Sequence, residues 1–355
     1  LKKNAEVFFI DELICVTKIN RYIVNASNLF VPFCKYDKKK IELLMSGVTS
    51  CHTTNLYTFY CISSLLLFGV IKPIKLTLGF YHANECKSLS TDASFYQEVL
   101  RSINNLKQNS IVATSKTTAQ NIAVILQTDN PDLIEVSLGV PRERHFKHKV
   151  KTEPLNVLSV GRLVPFKTYN MHILELINDL IKEGIYINYN IIGDGPGYNS
   201  LVGYVKEKKL ENFVQFTKHV NYSKLDAYID RADVFVGSGT SLVLAAGRSC
   251  VCLIGIESNK KPDTYGYLSN TCKQNYHELG LQYSKRTFRS YILDLIGMPQ
   301  EKFNIVRKKE HERSYDFSID KFMKVFNDAN SNADIYQGYG FKQFVKLQLK
   351  LISSI

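Results

Sequence analysis

The sequence predicts an α/β fold built as two Rossmann-like domains, each a parallel sheet with helices on both faces, and three observations carry that expectation. The chain has 355 residues, long for one domain and comfortable for two. Its C-terminal half alternates short apolar runs with amphipathic stretches, in the strand–helix–strand order of a parallel sheet with crossover helices. Several of those runs end in glycine-rich turns, at the strand ends where such sheets receive their ligands.

Composition agrees with a folded, two-core chain. Hydrophobic residues make up 45% and aromatics 12%, enough to bury sizeable cores. The formal charge of +12 suits anionic partners such as nucleotide diphosphates, lipid phosphates or a membrane surface. Nucleic acid is not expected, because the chain has no Trp and no RNA-binding aromatic signature, and its basic residues do not gather on one element. The eight cysteines contain no Cys-x-x-Cys pair, so they are expected to be buried free thiols in a reducing compartment rather than a disulfide framework or a zinc site. The chain begins LKKNAEVFFIDEL, with Leu in place of Met and no secretory pattern, and the expected location is cytoplasmic. The longest apolar run, Leu56–Ile71, holds sixteen residues including Ser63, Ser64 and Gly69. That is short of the roughly twenty needed to span a bilayer and predicts a buried helix.

In chain order, Ile74–Phe80 reads as a strand leading into Tyr81–Glu85. Ser110–Ser115 and Leu133–Val136 are further strands, the latter closed by a turn at Gly139. Pro141–Pro154 lacks hydrophobic periodicity, carries Arg142, Arg144, Lys147, Lys149 and Lys151, and is bounded by prolines, so the interdomain linker is expected there. Leu155–Val160 is a strand ending at Gly161. Met171–Ile181 places Ile173, Leu174, Ile177, Leu180 and Ile181 on one helical face. The pattern continues with a strand at Tyr186–Ile192, a helix around Ser200–Leu210, a strand at Phe213–Phe216, and a helix around Ser223–Arg231 with a Ser cap. A helix beginning near Thr240 then lies between strands Val234–Val236 and Val251–Ile254. The expected partition is 1–145, 146–300 and a charged helical tail at 301–355.

Three loops could carry chemistry. Val160–Lys167 (VGRLVPFK) sets Arg162 and Lys167 five residues apart, with Pro165 stiffening the turn. Two cations on a short rigid loop suit a diphosphate; alone, they read equally as solvated loop charges. Ile191–Pro196 (IIGDGP) turns sharply through Gly193 and Gly195, and Asp194 is assigned no chemistry. Gly237–Ser241 (GSGTS) sets glycines and the hydroxyls of Thr240 and Ser241 at a helix start, where backbone N–H groups can hold a phosphate; an ordinary helix cap is the simpler reading of that loop alone. Arg248 is expected to be structural. In the N-terminal half, His82 and Glu85 follow a strand, and His52 follows Leu43–Val48. A near-neutral His suits acid/base work, although a lone His in a turn is usually just a turn residue. Metal-ligand spacings, a Walker loop and a nucleophile elbow are absent from the sequence.

Taken in this order, VGRLVPFK, IIGDGP and the segment Val234–Ile256 resemble the nucleotide-sugar domain of a GT-B glycosyltransferase of family 4 (glycosyl transferases group 1). Pro262–Leu268 (PDTYGYL) is similar to a subgroup that assembles bacterial surface polysaccharides. The resemblance implies two Rossmann-like domains facing a cleft and transfer, with retention, from a nucleotide-diphosphate sugar to a saccharide or lipid-linked acceptor. It implies no metal and no cofactor beyond the donor substrate. Gly161, Arg162, Lys167, Gly239, Thr240 and Ser241 would grip the diphosphate, Gly193 and Gly195 would shape the pocket wall, and His82 and Glu85 would be catalytic. The basic stretches Lys38–Lys40 and Arg142–Lys151 would suit an anionic membrane surface at the inner face of the cell membrane. One feature departs from the pattern. The family's two glutamates, eight positions apart, fall on Gly237 and Ala245, and no carboxylate lies between Asp233 and Glu257. The alternative is therefore a catalytically impaired GT-B protein that partners another transferase.

Overall fold

The computed structural model describes residues 42–43, 45–54, 56–81, 103, 106, 110–126, 133–137, 139–141, 145–272, 275–333 and 335–338. These form two compact units. One comprises the described residues up to Val136 and those from Met323 onward, and the other comprises Ser137–Phe322.

In the first unit, strands β1 (Ser50–Thr53), β2 (Ile74–Phe80), β3 (Ile111–Ala113) and β4 (Ile134–Glu135) pair in that order, all parallel. Helix α1 (Leu56–Leu67) buries Leu56, Phe59, Ile62 and Leu66 in the same core as Leu76, Leu78 and Phe80 of β2. Its burial explains the sixteen-residue apolar run, and no helix among the described residues is long and apolar enough to cross a membrane. Helix α2 (Lys116–Leu126) follows β3, its first turn held by Thr118 N–H donating to Ser115 Oγ (3.1 Å).

The second unit is a five-stranded parallel sheet, β7-β6-β5-β8-β9, made from β5 (Leu155–Val160), β6 (Ile187–Ile192), β7 (Val214–Thr217), β8 (Val234–Gly237) and β9 (Val251–Ile254). Helices α3 (Tyr169–Lys182), α4 (Tyr198–Glu207), α5 (Tyr222–Arg231) and α6 (Thr240–Gly247) alternate with the strands. The strand alternation divides the side chains between two cores, as period-2 geometry requires. Val234 and Val236 join Val251 and Leu253 in one, while Phe235 joins Cys252 and Ile254 in the other. A short antiparallel pair, β10 (Asp263–Thr264) with β11 (Arg286–Thr287), precedes α7 (Phe288–Ile296) and α8 (Gln300–Arg313). Helix α9 (Ile319–Asn332) then leads to β12 (Ile335–Tyr336), which pairs antiparallel to the start of β2.

Several local expectations change. The cap of α5 is Asn221, whose side chain accepts from Ser223 N–H (3.1 Å), not Ser223 itself. Residues 301–322 of the expected tail belong to the second unit and those from Met323 on to the first. The described residues of the basic segment Pro141–Pro154 lie in the second unit, and Lys149 and Lys151 serve as internal donors. Lys149 Nζ donates to Ala232 O and stands 3.6 Å from Asp233, and Lys151 Nζ donates to three carbonyls at the end of α7. Of the cysteines expected to be buried, Cys250 and Cys252 are free and buried, whereas Cys272 is free and exposed.

Candidate functional site

The order β7-β6-β5-β8-β9 reverses direction between β5 and β8, and their carboxyl ends open a crevice at that switch point. The loop after β5 supplies Gly161–Lys167, and the loop after β8 supplies Ser238–Ser241. Two of the three sequence motifs thus meet across one gap.

The third motif supports the first. Gly193 N–H donates to Thr217 O (2.9 Å), and Gly161 N–H donates to Ile192 O (2.9 Å). A Cβ on Gly193 would fall 2.0 Å from Gly161 O, and one on Gly195 would fall 2.4 Å from Leu163 O. The paired bonds Leu163 N–H to Asp194 O and Gly197 N–H to Leu163 O (both 2.9 Å) then lock the two loops together. The glycines let one backbone lie directly against the other, so IIGDGP fixes the loop that carries the cations. Asp194 Oδ1 accepts from the adjacent Gly195 N–H (2.8 Å).

Arg162 is exposed and Lys167 half-buried. Neither side chain has a hydrogen-bond or ion-pair partner among the described residues. Burial holds the Lys167 ammonium below its ordinary pKa of 10.5; Glu257 pulls it back up and Arg162 pushes it further down. Lys167 Nζ packs over Gly161, 2.9 Å from where a Cβ would stand. A half-desolvated, unpaired ammonium is costly without an anion to answer it.

Opposite, α6 begins at Gly239, and no side chain caps its first turn. Its N–H groups therefore point into the crevice without a capping oxygen. Thr240 is exposed, while Ser241 Oγ donates to Ser238 O (3.2 Å). Arg248 ends α6 and pairs with Asp226 (2.9 Å) and Asp230 (2.5 Å), a structural role.

Packing explains the missing acidic pair. A Cβ on Gly237 would lie 2.6 Å from the Phe235 ring, and Ala245 is wholly buried in the core beneath α6. As packed, a side chain at 237 would have to displace the buried Phe235 ring, and one at 245 would put a carboxylate in the apolar core. Asp233 sits at the far end of β8, where it accepts from Thr152 and Asn156 (N–H, 2.9 Å). Glu257, by contrast, reaches the site, because its Oε1 accepts from Ser238 Oγ (2.7 Å). Sequence reasoning named it only as the first acid beyond the gap. The signal for it was its place three residues after β9, in the next loop at the same sheet edge.

In the first unit, His52 Nδ1 meets Thr77 Oγ1 (2.8 Å) and Nε2 meets Tyr81 OH (2.5 Å), and burial lowers its pKa to about 4. Both ring nitrogens are occupied and the ring is neutral at physiological pH. His82 and Glu85 lie outside the described residues. Among those described, no group of His, Cys, Asp and Glu is placed to hold a metal ion.

A strand-switch crevice with a cationic loop on one side and an uncapped helix N-terminus on the other is the candidate site of this α/β unit, and comparison with known proteins shows what the chain is similar to. Residues 141–246 match the family model of glycosyl transferases group 1. Two curated relatives, from Salmonella typhimurium and Escherichia coli K12, carry the name of a colanic acid biosynthesis glycosyltransferase, WcaL. They are 31% identical over 110 residues and 30% identical over 102. The matched stretches cover 30% and 28% of this chain and span only 27% and 25% of those proteins. Among solved structures, a glycosyltransferase from Rickettsia africae superposes with TM-score 0.56 at 13% identity, over 87% of this chain and 84% of that one. Trehalose-6-phosphate synthase gives 0.58 at 10% identity, over 87% and 78%. HepE of Anabaena in complex with UDP-glucose gives 0.54 at 14%, over 83% and 82%. At these identities the likeness establishes the shared GT-B fold.

Proposed function

We propose that the protein transfers a sugar from a nucleotide-diphosphate donor to a saccharide or lipid-linked acceptor, with retention, in surface-polysaccharide assembly. The observation that carries this reading is the unpaired, half-buried Lys167 beside unpaired Arg162, facing the uncapped start of α6 across the switch point. The relatives' name, colanic acid biosynthesis glycosyltransferase, and the UDP-glucose held by the Anabaena neighbour support the donor class and the setting. The trehalose-6-phosphate synthase neighbour, described in terms of transfer with retention, supports the stereochemistry.

Arg162 and Lys167 would bind the two phosphates and neutralise the charge that grows on the leaving diphosphate. The N–H groups of Gly239, Thr240 and Ser241 would take the remaining oxygens, a division of labour that needs no metal. Gly161 lets Lys167 lie close to the ligand, and Gly193 and Gly195 keep the loop in register as the pocket wall. His82 and Glu85 remain the residues proposed for catalysis in the first unit. An acceptor on an anionic membrane would meet fewer free lysines than the sequence offers, since Lys149 and Lys151 are engaged internally.

A second reading, a scaffold for another transferase, is favoured by one observation: Gly237 and Ala245 are packed where the usual acids would stand. Calorimetric titration with UDP, GDP, CDP and their sugars separates the readings. The transferase reading expects one diphosphate series to bind, and Arg162→Ala/Lys167→Ala to weaken it by about two orders of magnitude or more, as charge-assisted contacts are lost. A folded protein that binds none of them is the scaffold. Donor binding without turnover to any acceptor, and without donor hydrolysis, would leave an impaired enzyme.

A further inference from the structure

The segment after β9 is tied to the cationic loop at two points. Ser258 N–H donates to Phe166 O (2.6 Å), and Thr168 Oγ1 donates to Asn259 O (2.7 Å). Immediately before those ties lies Glu257, whose own N–H donates to His277 O (3.0 Å). Its side chain returns to the loop after β8, where Oε1 accepts from Ser238 Oγ. Ser238 is itself buried and stands 3.3 Å from Tyr169 OH. Gly255 makes room for that tyrosine, since a Cβ there would lie 2.4 Å from its ring. Tyr276 completes the frame by donating to Gly239 O (2.8 Å). Glu257 is therefore fixed by a built polar frame, half-buried, on the same edge as Lys167. Its second oxygen, Oε2, takes no hydrogen bond from any described residue.

A carboxylate set among diphosphate-binding cations would repel the ligand unless it faces a different part of it. A nucleotide sugar offers a carboxylate only its neutral donors, the base N–H groups and the sugar hydroxyls, and the hydroxyls flank the diphosphate on both sides. Held by Ser238 and adjacent to the Gly239 turn, Glu257 can meet those hydroxyls while Lys167 and Arg162 take the phosphates.

We propose that Glu257 is the acidic residue of the donor site, its free Oε2 accepting from vicinal hydroxyls of the nucleotide sugar in place of the acids missing from positions 237 and 245. This rests on the donor-binding reading above. Those hydroxyls belong either to the ribose or to the transferred sugar, and the ligand series tells them apart.

The test is calorimetry on the full chain, comparing wild type, Glu257→Gln, Glu257→Ala and Ser238→Ala with UDP, 2′-deoxy-UDP and UDP-glucose, and with the guanosine set GDP, 2′-deoxy-GDP and GDP-mannose. Thermal melts establish folding, and Glu257→Gln can keep the bond to Ser238. If the carboxylate reads the ribose, the variants lose about tenfold or more for UDP or GDP and less for the 2′-deoxy form, which keeps one hydroxyl of the vicinal pair, so wild-type discrimination between the two shrinks. If it reads the transferred sugar, the diphosphates bind as before and the nucleotide sugar loses about tenfold or more. Equal losses for ribose and deoxyribose ligands would mean that Glu257 acts only on the fold or on Lys167, and would overturn the proposal. So would unchanged affinity for every ligand in a series that the wild type binds, with the donor-binding reading left standing. A wild type that binds nothing in either series removes both.

Discussion

Lys167 and His52 are both shifted downward by burial, and the consequences differ because one faces a ligand site and the other a closed network. Burial favours the neutral amine of Lys167, with Arg162 adding to the effect and Glu257 opposing it. Its charge is therefore lost on the alkaline side before that of a solvated lysine. Diphosphate affinity should decline as pH rises toward 10, and Lys167→Arg, which stays charged throughout, should remove that decline; calorimetry from pH 7 to 10 reads both. His52 is held neutral by burial against Thr77, Tyr81 and the Phe326 ring, which lies edge-on at 4.7 Å. The unfolded ring titrates near 6.5 and the folded one near 4, so the unfolded chain binds more protons in that window. Stability is then full above pH 6.5 and falls by up to about 3 kcal/mol as pH drops to 4. Melting curves of the wild type should show this loss, and His52→Gln should flatten it.

At the scale of elements, the sequence marked the second unit well because each strand and helix there carries its own period. β5 and β9 match the expected bounds, and α3, β6, α4, β7, α5 and β8 differ from theirs by at most three residues at an end. The placement of the candidate loops was legible too, since Arg162, Lys167 and the Gly237–Ser241 turn sit at strand ends that composition alone marks. What could not be read was anything that depends on which loops become neighbours. The contact of Glu257 with Ser238 joins two loops nineteen residues apart, and no local pattern announces it. The lysines of Pro141–Pro154 misled for the same reason, because their partners are distant in sequence. Lys151 spends all three ammonium hydrogens on Leu295 O (3.1 Å), Ile296 O (2.7 Å) and Met298 O (2.9 Å), satisfying the end of α7. Lys151→Met keeps the aliphatic stem and leaves those carbonyls open. It should cost about 1–3 kcal/mol, read as a lower denaturant midpoint for the second unit with nucleotide affinity unchanged.

For the molecule as a whole, the chain visits its first unit twice. Residues up to Val136 and from Met323 onward belong together, with Ser137–Phe322 between them. β12 adds to β2 through Ile335 and Tyr336, and Tyr336 is buried against Phe59 and within 3.4 Å of Ser63 Oγ. Truncation after Phe322 removes that strand and that core aromatic. The first unit should then lose its cooperative melt while the second keeps its own transition and its nucleoside diphosphate affinity. Calorimetric scanning, with and without the nucleotide that the full chain binds, distinguishes this from a loss of both transitions.

The pairing of Lys75 with Ile335 also sets an order of events in time. Those residues are 335 − 75 = 260 positions apart, so closing them draws together nearly three-quarters of the chain. A contact so distant is slow to form and late to be rewarded. On the ribosome, the second unit emerges and can close on itself before β12 has been synthesised, whereas the sheet begun by β1 and β2 waits for its last strand. If the proposed donor site is real, the newborn chain could hold a nucleotide before its other half is finished, and that ligand would protect the inserted unit while the rest assembles.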